Sequence, residues 1–363
     1  MKNCLLIVLL FWGVSWLSSC KEPSTLPDDE PTPVVVPPTY SYEMVAIDDQ
    51  LELLDQLDEM VAYMRTSEQP GVEINAAVLK SMFENTGGNA SGNFPFSSDA
   101  QMKGLCQENA LDMLEGYFGK FNSISSKVQT GSSGVAGWVV SSDSNRHRLF
   151  DINGFDYTQL IEKTLMGAVL YYQATEVQLG IEVLNADNEP RIDSATAMQH
   201  NWDVAYAYFG GSLNFPDDLE TTRYWSFYTK ILDEHLNCVE ELGTALRMGR
   251  EAINVERYDK RDEAIEETKV AWNKVCVGAA IHFLNVAINK MDDDFVRNNA
   301  LSQAIAFVRN TQYNSASALT DSQRSEIETL IGSNLYESVS EDLVSARSIL
   351  AESISAGSIE SVL

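Results

Sequence analysis

The sequence predicts an all-α protein in which antiparallel helices pack as one or two bundles behind a disordered N-terminal tether. Two observations support this fold class. Apolar residues recur at intervals of three and four along most of the chain, which is the spacing of one face of an α-helix. No segment alternates polar and apolar residues for long enough to predict a strand.

The predicted helices follow from this periodicity and from local start and stop signals. The first begins after the capping signal Asp48-Asp49, and Gly210-Gly211 ends the helix that starts at residue 194. Ser and Gly fill eleven of the 22 positions in 123–144, which predicts a loop with a short extended piece at Trp138-Val139-Val140. In chain order the predicted helices are 51–64, 75–83, 100–121, 156–182, 194–209, 221–248, 259–291, 300–311, 322–331 and 339–355.

The N-terminus has the pattern of a bacterial lipoprotein signal. Lys2 precedes an apolar run, 5–17, that is shorter than the roughly 20 residues needed to span a bilayer. The run ends in Leu17-Ser18-Ser19-Cys20, which matches the lipobox, where the cysteine thiol carries the lipid. We interpret residues 1–19 as a signal peptide and Cys20 as the lipidation site. The alternative is an ordinary cleaved signal with an incidental cysteine.

Residues 20–39 form the predicted tether, because six of the ten prolines lie between Pro23 and Pro38. Such a segment favours an extended polyproline II conformation and buries no apolar face. Residues 40–363 form the helical domain, which is long enough for one large domain or two fused bundles. The anchor predicts an outer-membrane lipoprotein, periplasmic or surface-exposed, and Lys21-Glu22 resembles a surface-export signal.

Charge and cysteine content restrict the partners. The formal net charge of −28 repels nucleic acid and anionic lipid head groups, so we predict no nucleic-acid partner. A cation is the natural small partner of this field, although plain solubility is the simpler explanation of an acidic surface. Beyond Cys20 the mature chain has three cysteines, which permit at most one disulfide. A Cys238–Cys276 bridge is compatible with the sequence but is not deduced from it.

The candidate site lies in residues 198–210, where apolar side chains on both sides predict a buried central helix. His200 and Asp203 are three residues apart, so both side chains can reach one point and bind a cation. The alternative is a polar pair that satisfies itself in the core. His282, in a second apolar helix, is a weaker candidate ligand, with a core histidine as the alternative.

This segment resembles the signature of a family of bacterial lipoproteins of unknown function, which reads Glu-His-His-Trp-Asp-Glu-Ala followed by an aromatic-Gly-Tyr-Phe-Gly stretch. The resemblance covers roughly residues 39–350. The family is similar to the imelysins, helical envelope proteins associated with iron uptake that carry a His-x-x-Glu motif. Further matching blocks are Lys163-Thr-Leu-Met-Gly-Ala168, Tyr172-Gln173, Arg223-Tyr-Trp225, Gly249-Arg-Glu-Ala-Ile253, Ala280-Ile-His-Phe-Leu-Asn285 and Leu301-Ser-Gln-Ala304.

The resemblance implies an imelysin-like helical fold and a ligand that is iron or another divalent metal. Gln199, Asn201 and Val204 stand where the family tends to have Glu, His and Glu, so this copy lacks three ligand candidates. His200 and Asp203 remain, and His-x-x-Asp takes the place of His-x-x-Glu.

We therefore predict a non-enzymatic, envelope-anchored lipoprotein that binds a metal ion or an iron-containing ligand through His200, Asp203 and His282. It reaches the membrane through the lipid on Cys20. The alternative is a structural or interaction lipoprotein without a small ligand, whose protein partner the sequence does not identify. A metallopeptidase is the minor alternative, because the H-E-x-x-H motif is absent, as is G-x-S-x-G. We predict no catalytic residue.

Overall fold

The computed structural model describes residues 32–191 and 193–363. The predicted signal peptide 1–19, the lipidation site Cys20 and the first part of the tether lie outside the described residues. Residues 32–39 adopt neither helix nor strand, and Tyr40 is the first buried residue of the described chain. One compact unit extends over Val34–Leu363.

The predicted all-α class is confirmed, since the described residues fold into helices and one small β-hairpin. Most predicted helices are present, with ends that differ by a few residues. The helices are α1 (Asp48–Arg65), α2 (Ala76–Glu84), α3 (Met102–Leu105), α4 (Leu111–Ser125), α5 (Tyr157–Leu165), α6 (Val183–Asn185), α7 (Ala197–Phe209), α8 (Trp225–Leu236), α9 (Cys238–Asn254), α10 (Tyr258–Ile288), α11 (Asp294–Asn310), α12 (Asp321–Ile331) and α13 (Ser340–Ser353).

Local signals explain how the first two helices begin. Asn75 caps α2, because its side chain accepts a hydrogen bond from the backbone N–H of Ala77. Asp48 and Asp49 do not cap α1 as predicted. They lie in its first turn, where their negative charges interact favourably with the positive end of the helix dipole.

The predicted helix 100–121 is two helices, α3 and α4. Cys106 follows α3 with an extended backbone. The N–H of Gln107 then donates to the carbonyl oxygen of Ala168 at 2.8 Å, and its side chain accepts from the N–H of Asn109. This hydrogen bond to a distant segment replaces an intrahelical one and interrupts the helix. The apolar periodicity of the sequence nevertheless continues across the interruption.

The Ser- and Gly-rich segment contains a hairpin, where β1 (Gly137–Val140) pairs antiparallel with β2 (His147–Phe150). Trp138 faces its partner Leu149, and its indole N–H donates to the carbonyl oxygen of Ser67 at 2.9 Å. The extended piece expected at 138–140 is therefore a strand attached to the body. The sequence shows it poorly because each strand has only four residues.

The segment predicted as the helix 156–182 is helical from Tyr157, but it changes type, and Gly180 departs from helical dihedral angles with φ of −105° and ψ of −119°. Asp156 caps α5, and from Met166 the chain continues as two π-helical segments, Met166–Tyr171 and Gln173–Glu182. Gly167 packs directly on Asn310: a Cβ atom at Gly167 would lie 2.0 Å from its Oδ1. Apolar periodicity does not distinguish this rare helix type from an α-helix.

Two further differences concern helix ends. The predicted helix 221–248 is split into α8 and α9 at Asn237, which has a left-handed backbone with φ of 52°. The predicted helix 300–311 begins earlier, within the acidic triplet 292–294. Asp293 begins α11, because its side chain accepts from the N–H of Val296.

Helix α10 is the centre of the body and packs along α9 and α11, with further contacts to α8 and α13. By length and composition alone α10 could cross a membrane, but 72% of its apolar window is buried inside the protein. Cys276 on α10 and Cys238 on α9 are free thiols, like Cys106. The Cys238–Cys276 bridge that the sequence left open is therefore not formed.

Candidate functional site

Helix α7 contains the candidate site and is largely buried. Thr196 and Gln199 form a reciprocal capping box at its start. Gly210 ends it with φ of 80°, and a Cβ atom there would lie 2.4 Å from the carbonyl oxygen of Arg223. Trp202 and Asp203 are fully buried, which agrees with the predicted central position of this helix.

Asp203 is bound on one of its two carboxylate oxygens. Its Oδ1 accepts from the hydroxyl of Tyr40 at 2.8 Å and from Nε of Arg250 at 2.8 Å. Its Oδ2 is buried and has no hydrogen-bond partner among the described residues. Burial raises the pKa of Asp203, and the Arg250 guanidinium opposes that rise. The Tyr40 hydroxyl also lowers the pKa of Asp203 through its hydrogen bond, so both partners of Oδ1 favour the charged carboxylate.

Arg250 links Asp203 to the surrounding polar groups. Only 2% of its side chain is exposed, and its Nη1 donates to Oδ1 of Asn254. Its guanidinium lies over the ring of Tyr42, 4.8 Å from the ring centroid. Nε2 of Gln199 donates to the same Asn254 oxygen at 2.9 Å. The buried ion pair is therefore supported by further polar and aromatic contacts.

Tyr40 brings the start of the helical body onto this ion pair. Its ring stacks on that of Tyr206 with an interplanar angle of 4°, and its backbone N–H donates to the carbonyl oxygen of Phe215 at 3.1 Å. Burial and the nearby Asp203 carboxylate raise the pKa of Tyr40, so its hydroxyl remains a donor. We call Tyr40, Asp203 and Arg250 the N-terminal clasp.

The structure does not bring the three predicted metal-binding residues together. His200 is exposed on α7, whereas Asp203 is buried in the clasp. His282 is half-buried on α10, and burial lowers its pKa, while a hydrogen bond from its imidazole to the backbone of Leu363 opposes that shift. Across residues 32–191 and 193–363, no group of three His, Cys, Asp or Glu side chains is placed to hold a metal ion.

A cleft of about 520 Å³ lies beside the clasp. Tyr42, Arg250, Gln199, Glu251 and Asn254 are among its lining residues. Asn254 donates to Oε2 of Glu251 at 2.9 Å while it accepts from Gln199 and Arg250. The polar lining groups thus bond mainly to one another, as expected for a network that stabilises the fold around Asp203.

Tyr40 and Arg250 are absent from the predicted site residues. A carboxylate in a helix that is apolar on both sides requires a buried donor or cation. This requirement was the feature of the sequence that could have indicated partners for Asp203. The predicted helix 221–248 ended before Arg250, but α9 continues to Asn254 and therefore places the arginine on a buried helical face. Tyr40 adjoins the prolines of the tether, where no periodicity indicates burial.

The comparisons with known proteins support the coarser part of the resemblance, a family of unknown function that covers most of the chain, and show no link to the imelysins. A family model described as "Domain of unknown function (DUF4856)" matches residues 43–336. No curated protein and no solved structure matches the chain. Because the family model covers most of the sequence, the chain belongs to the family described as Domain of unknown function (DUF4856).

Proposed function

We propose that this protein is a non-enzymatic lipoprotein of the cell envelope that acts as a structural or interaction protein, with the N-terminal clasp fastening its helical body to the lipid-bearing tether. One observation carries the proposal: the buried carboxylate of the candidate site, Asp203, is bound by Tyr40, the first buried residue after the tether. The sequence Leu17-Ser18-Ser19-Cys20 supports the anchor and, with it, an outer-membrane location facing the periplasm or the cell surface.

The clasp suits this role because a load on Cys20 would be transmitted along the tether and enter the body near Tyr40. At that point a stacked ring, a backbone hydrogen bond and a hydroxyl-to-carboxylate bond act together. Arg250 pairs with Asp203 at 2.8 Å, and charge-assisted hydrogen bonds are stronger than neutral ones. These contacts of Tyr40 therefore oppose detachment of the N-terminal segment from the helical body.

Protease treatment of isolated membranes tests the proposal. In wild-type membranes we expect cleavage within 20–39 to release an intact body into the soluble fraction, because the clasp protects the chain from Tyr40 onward. A chain that begins at residue 21, without the apolar run 5–17 and without Cys20, is expected to be soluble without protease, since it has neither the signal nor the lipid. Tyr40→Phe should move the cleavage limit beyond residue 40, while Tyr172→Phe, a half-buried tyrosine between the π-helical segments, serves as the control. A body that stays on membranes after tether cleavage, or membrane binding by the chain that begins at residue 21, would contradict the proposal.

An imelysin-like role in binding a metal ion or an iron-containing ligand is the second candidate. It is favoured by Oδ2 of Asp203, which lacks a described hydrogen-bond partner, and by His200 one turn earlier on the same helix. A cation at this oxygen would lie beside the Arg250 guanidinium, whose positive charge opposes it. The geometry therefore supports this candidate less well than the clasp.

Metal loading separates the two candidates. Residues 21–363 would be loaded in turn with iron, zinc, copper and calcium, desalted, and analysed for bound metal. We expect no near-stoichiometric retention, because Arg250 already neutralises Asp203. His235→Ala, an exposed histidine on α8, is the matched control for His200→Ala. Near-stoichiometric metal that is lost in His200→Ala and kept in His235→Ala would establish the binding role and overturn our preference.

A further inference from the structure

A second polar site lies on α5, the helix whose described residues are nearly all buried. Glu162 and Lys163 are adjacent charged residues with side chains only 9% and 6% exposed. Nζ of Lys163 lies 2.5 Å from Oε1 of Glu162 and 5.3 Å from the centroid of the Tyr228 ring. Removing both charges from water is unfavourable, and a hydrophobic pair would often stabilise the fold as well. Stability alone therefore does not explain why they are present.

The second oxygen of Glu162 has an unused hydrogen-bonding capacity. Oε2 is buried and has no hydrogen-bond partner among the described residues. Nη2 of Arg65 lies 3.9 Å from Oε2, beyond hydrogen-bond distance, on a side chain that is 57% exposed. Buried carboxylate oxygens without a donor are uncommon because they lose the hydrogen bonds that water would supply. A donor brought by a ligand would satisfy this oxygen.

Glu162 and Lys163 line a cleft of about 440 Å³, which lies in the range of small-molecule sites, roughly 300–1,000 Å³. Aromatic rings of Phe227, Tyr228 and Phe283 contribute to its wall. Met166 also lines it, at the residue where the first π-helical segment begins. Short π-helical stretches within helices frequently occur at functional sites. The cleft shares no lining residue with the one beside the N-terminal clasp.

The charges of this cleft restrict the ligand class. Arg223 is held by Asp55 at 2.8 Å and by Asp58 at 2.5 Å, so it is already neutralised. An anionic ligand would meet the Glu162 carboxylate, and a cationic ligand would meet the Lys163 ammonium bound to that same carboxylate. A neutral ligand with hydroxyl donors avoids both repulsions and supplies the donor that Oε2 lacks. Aromatic side chains in the wall provide faces for an apolar side of the ligand.

From this combination we infer that the Glu162–Lys163 cleft binds a neutral, hydroxyl-rich ligand of the size of one or two sugar rings. Glu162 accepts a hydrogen bond from a ligand hydroxyl, Lys163 holds the carboxylate in position, and Phe227 contacts the apolar face of the ring. Phe227 is 44% exposed although it is a large hydrophobic residue, which fits a side chain that a ligand covers.

Titration of residues 21–363 with glucose, galactose, mannose and N-acetylglucosamine, followed by ligand-observed NMR and calorimetry, tests this inference. Inorganic phosphate and putrescine represent the anionic and cationic classes. We expect at least one sugar to bind and neither charged probe to do so. Glu162→Gln should weaken the sugar about tenfold or more, because a charged acceptor becomes a neutral one.

Glu162→Gln also leaves the Lys163 ammonium without its partner, so a variant that keeps the ion pair is needed. Phe227→Ala should weaken sugar binding several-fold while the protein stays folded, since the residue is 44% exposed and lies outside the buried core. Ile231→Ala, one turn further along α8 and 37% exposed, is the matched control and should bind like wild type. The inference is overturned if no sugar binds at about 100 mM, if a charged probe binds instead, or if Phe227→Ala binds sugar as well as wild type.

Discussion

Replacement of Asp203 by alanine is expected to lower the free energy of unfolding by about 3–5 kcal/mol. The substitution leaves the Arg250 guanidinium, 2% exposed, without its carboxylate, and leaves the Tyr40 hydroxyl without its acceptor. Losing one partner of a buried ion pair is far more damaging than losing an exposed pair, because the remaining charge stays desolvated. Urea unfolding of residues 21–363, followed by far-ultraviolet circular dichroism, measures the effect.

A double-mutant cycle assigns this loss to the N-terminal clasp. Tyr40→Phe alone should lower the unfolding free energy by about 1.5–3 kcal/mol, the usual value for a hydrogen bond to a charged group. Combined with Asp203→Ala, it should lose less than the sum, because the two variants remove the same contact. The control is Asp217→Ala, an exposed carboxylate that should change stability by less than about 0.5 kcal/mol. Additive losses, or a loss below about 1 kcal/mol for Asp203→Ala, would show that Asp203 does not hold the N-terminal segment.

Replacement of Trp202 by alanine is the second large expected effect, also about 3–5 kcal/mol. The indole is completely buried, and its Nε1–H donates to the carbonyl oxygen of Leu246 at 2.9 Å. Its ring lies against Gly249, where a Cβ atom would be 1.9 Å from Cη2 of the indole. The variant therefore creates a large cavity between α7 and α9. The same urea unfolding experiment measures it, with Ile231→Ala as a partly exposed control.

The fit between Trp202 and Gly249 can be examined from the glycine side. Gly249→Ala should destabilise the protein by about 1–3 kcal/mol, because the added methyl group overlaps the indole. In a Trp202→Phe background the same change should be less harmful, since phenylalanine lacks the outer indole atoms that the methyl group meets. An equal loss from Gly249→Ala in both backgrounds would mean that the close contact does not set the spacing of α7 and α9.

Sequence and structure agree where local periodicity determines the answer. Helices such as α2, α7, α10 and α13 lie where their apolar spacing predicts them, and the central position of α7 follows from apolar residues on both of its sides. Hydrogen bonds within a helix join residues only four positions apart, so a short segment contains most of the information needed to place it.

The spacing of His200 and Asp203 was not sufficient to predict the surroundings of these two side chains on α7. Three residues apart on a helix, the two side chains can reach a common point, yet one is exposed and the other is turned into the clasp. Helical spacing places residues on a face. It does not say whether that face meets solvent, a cation or an arginine from another helix.

The sequence by itself therefore determined the helical class, the positions of most helices and the burial of α7, because these follow from contacts between near neighbours. Only the tertiary structure determined that helices are interrupted at Cys106 and Asn237. It also determined which groups pair with Asp203 and Glu162. Tyr40 and Asp203 are separated by 163 residues in the chain, and no local pattern records such a pairing. Whether a buried charge is neutralised, and by which group, depends on packing that brings distant segments together.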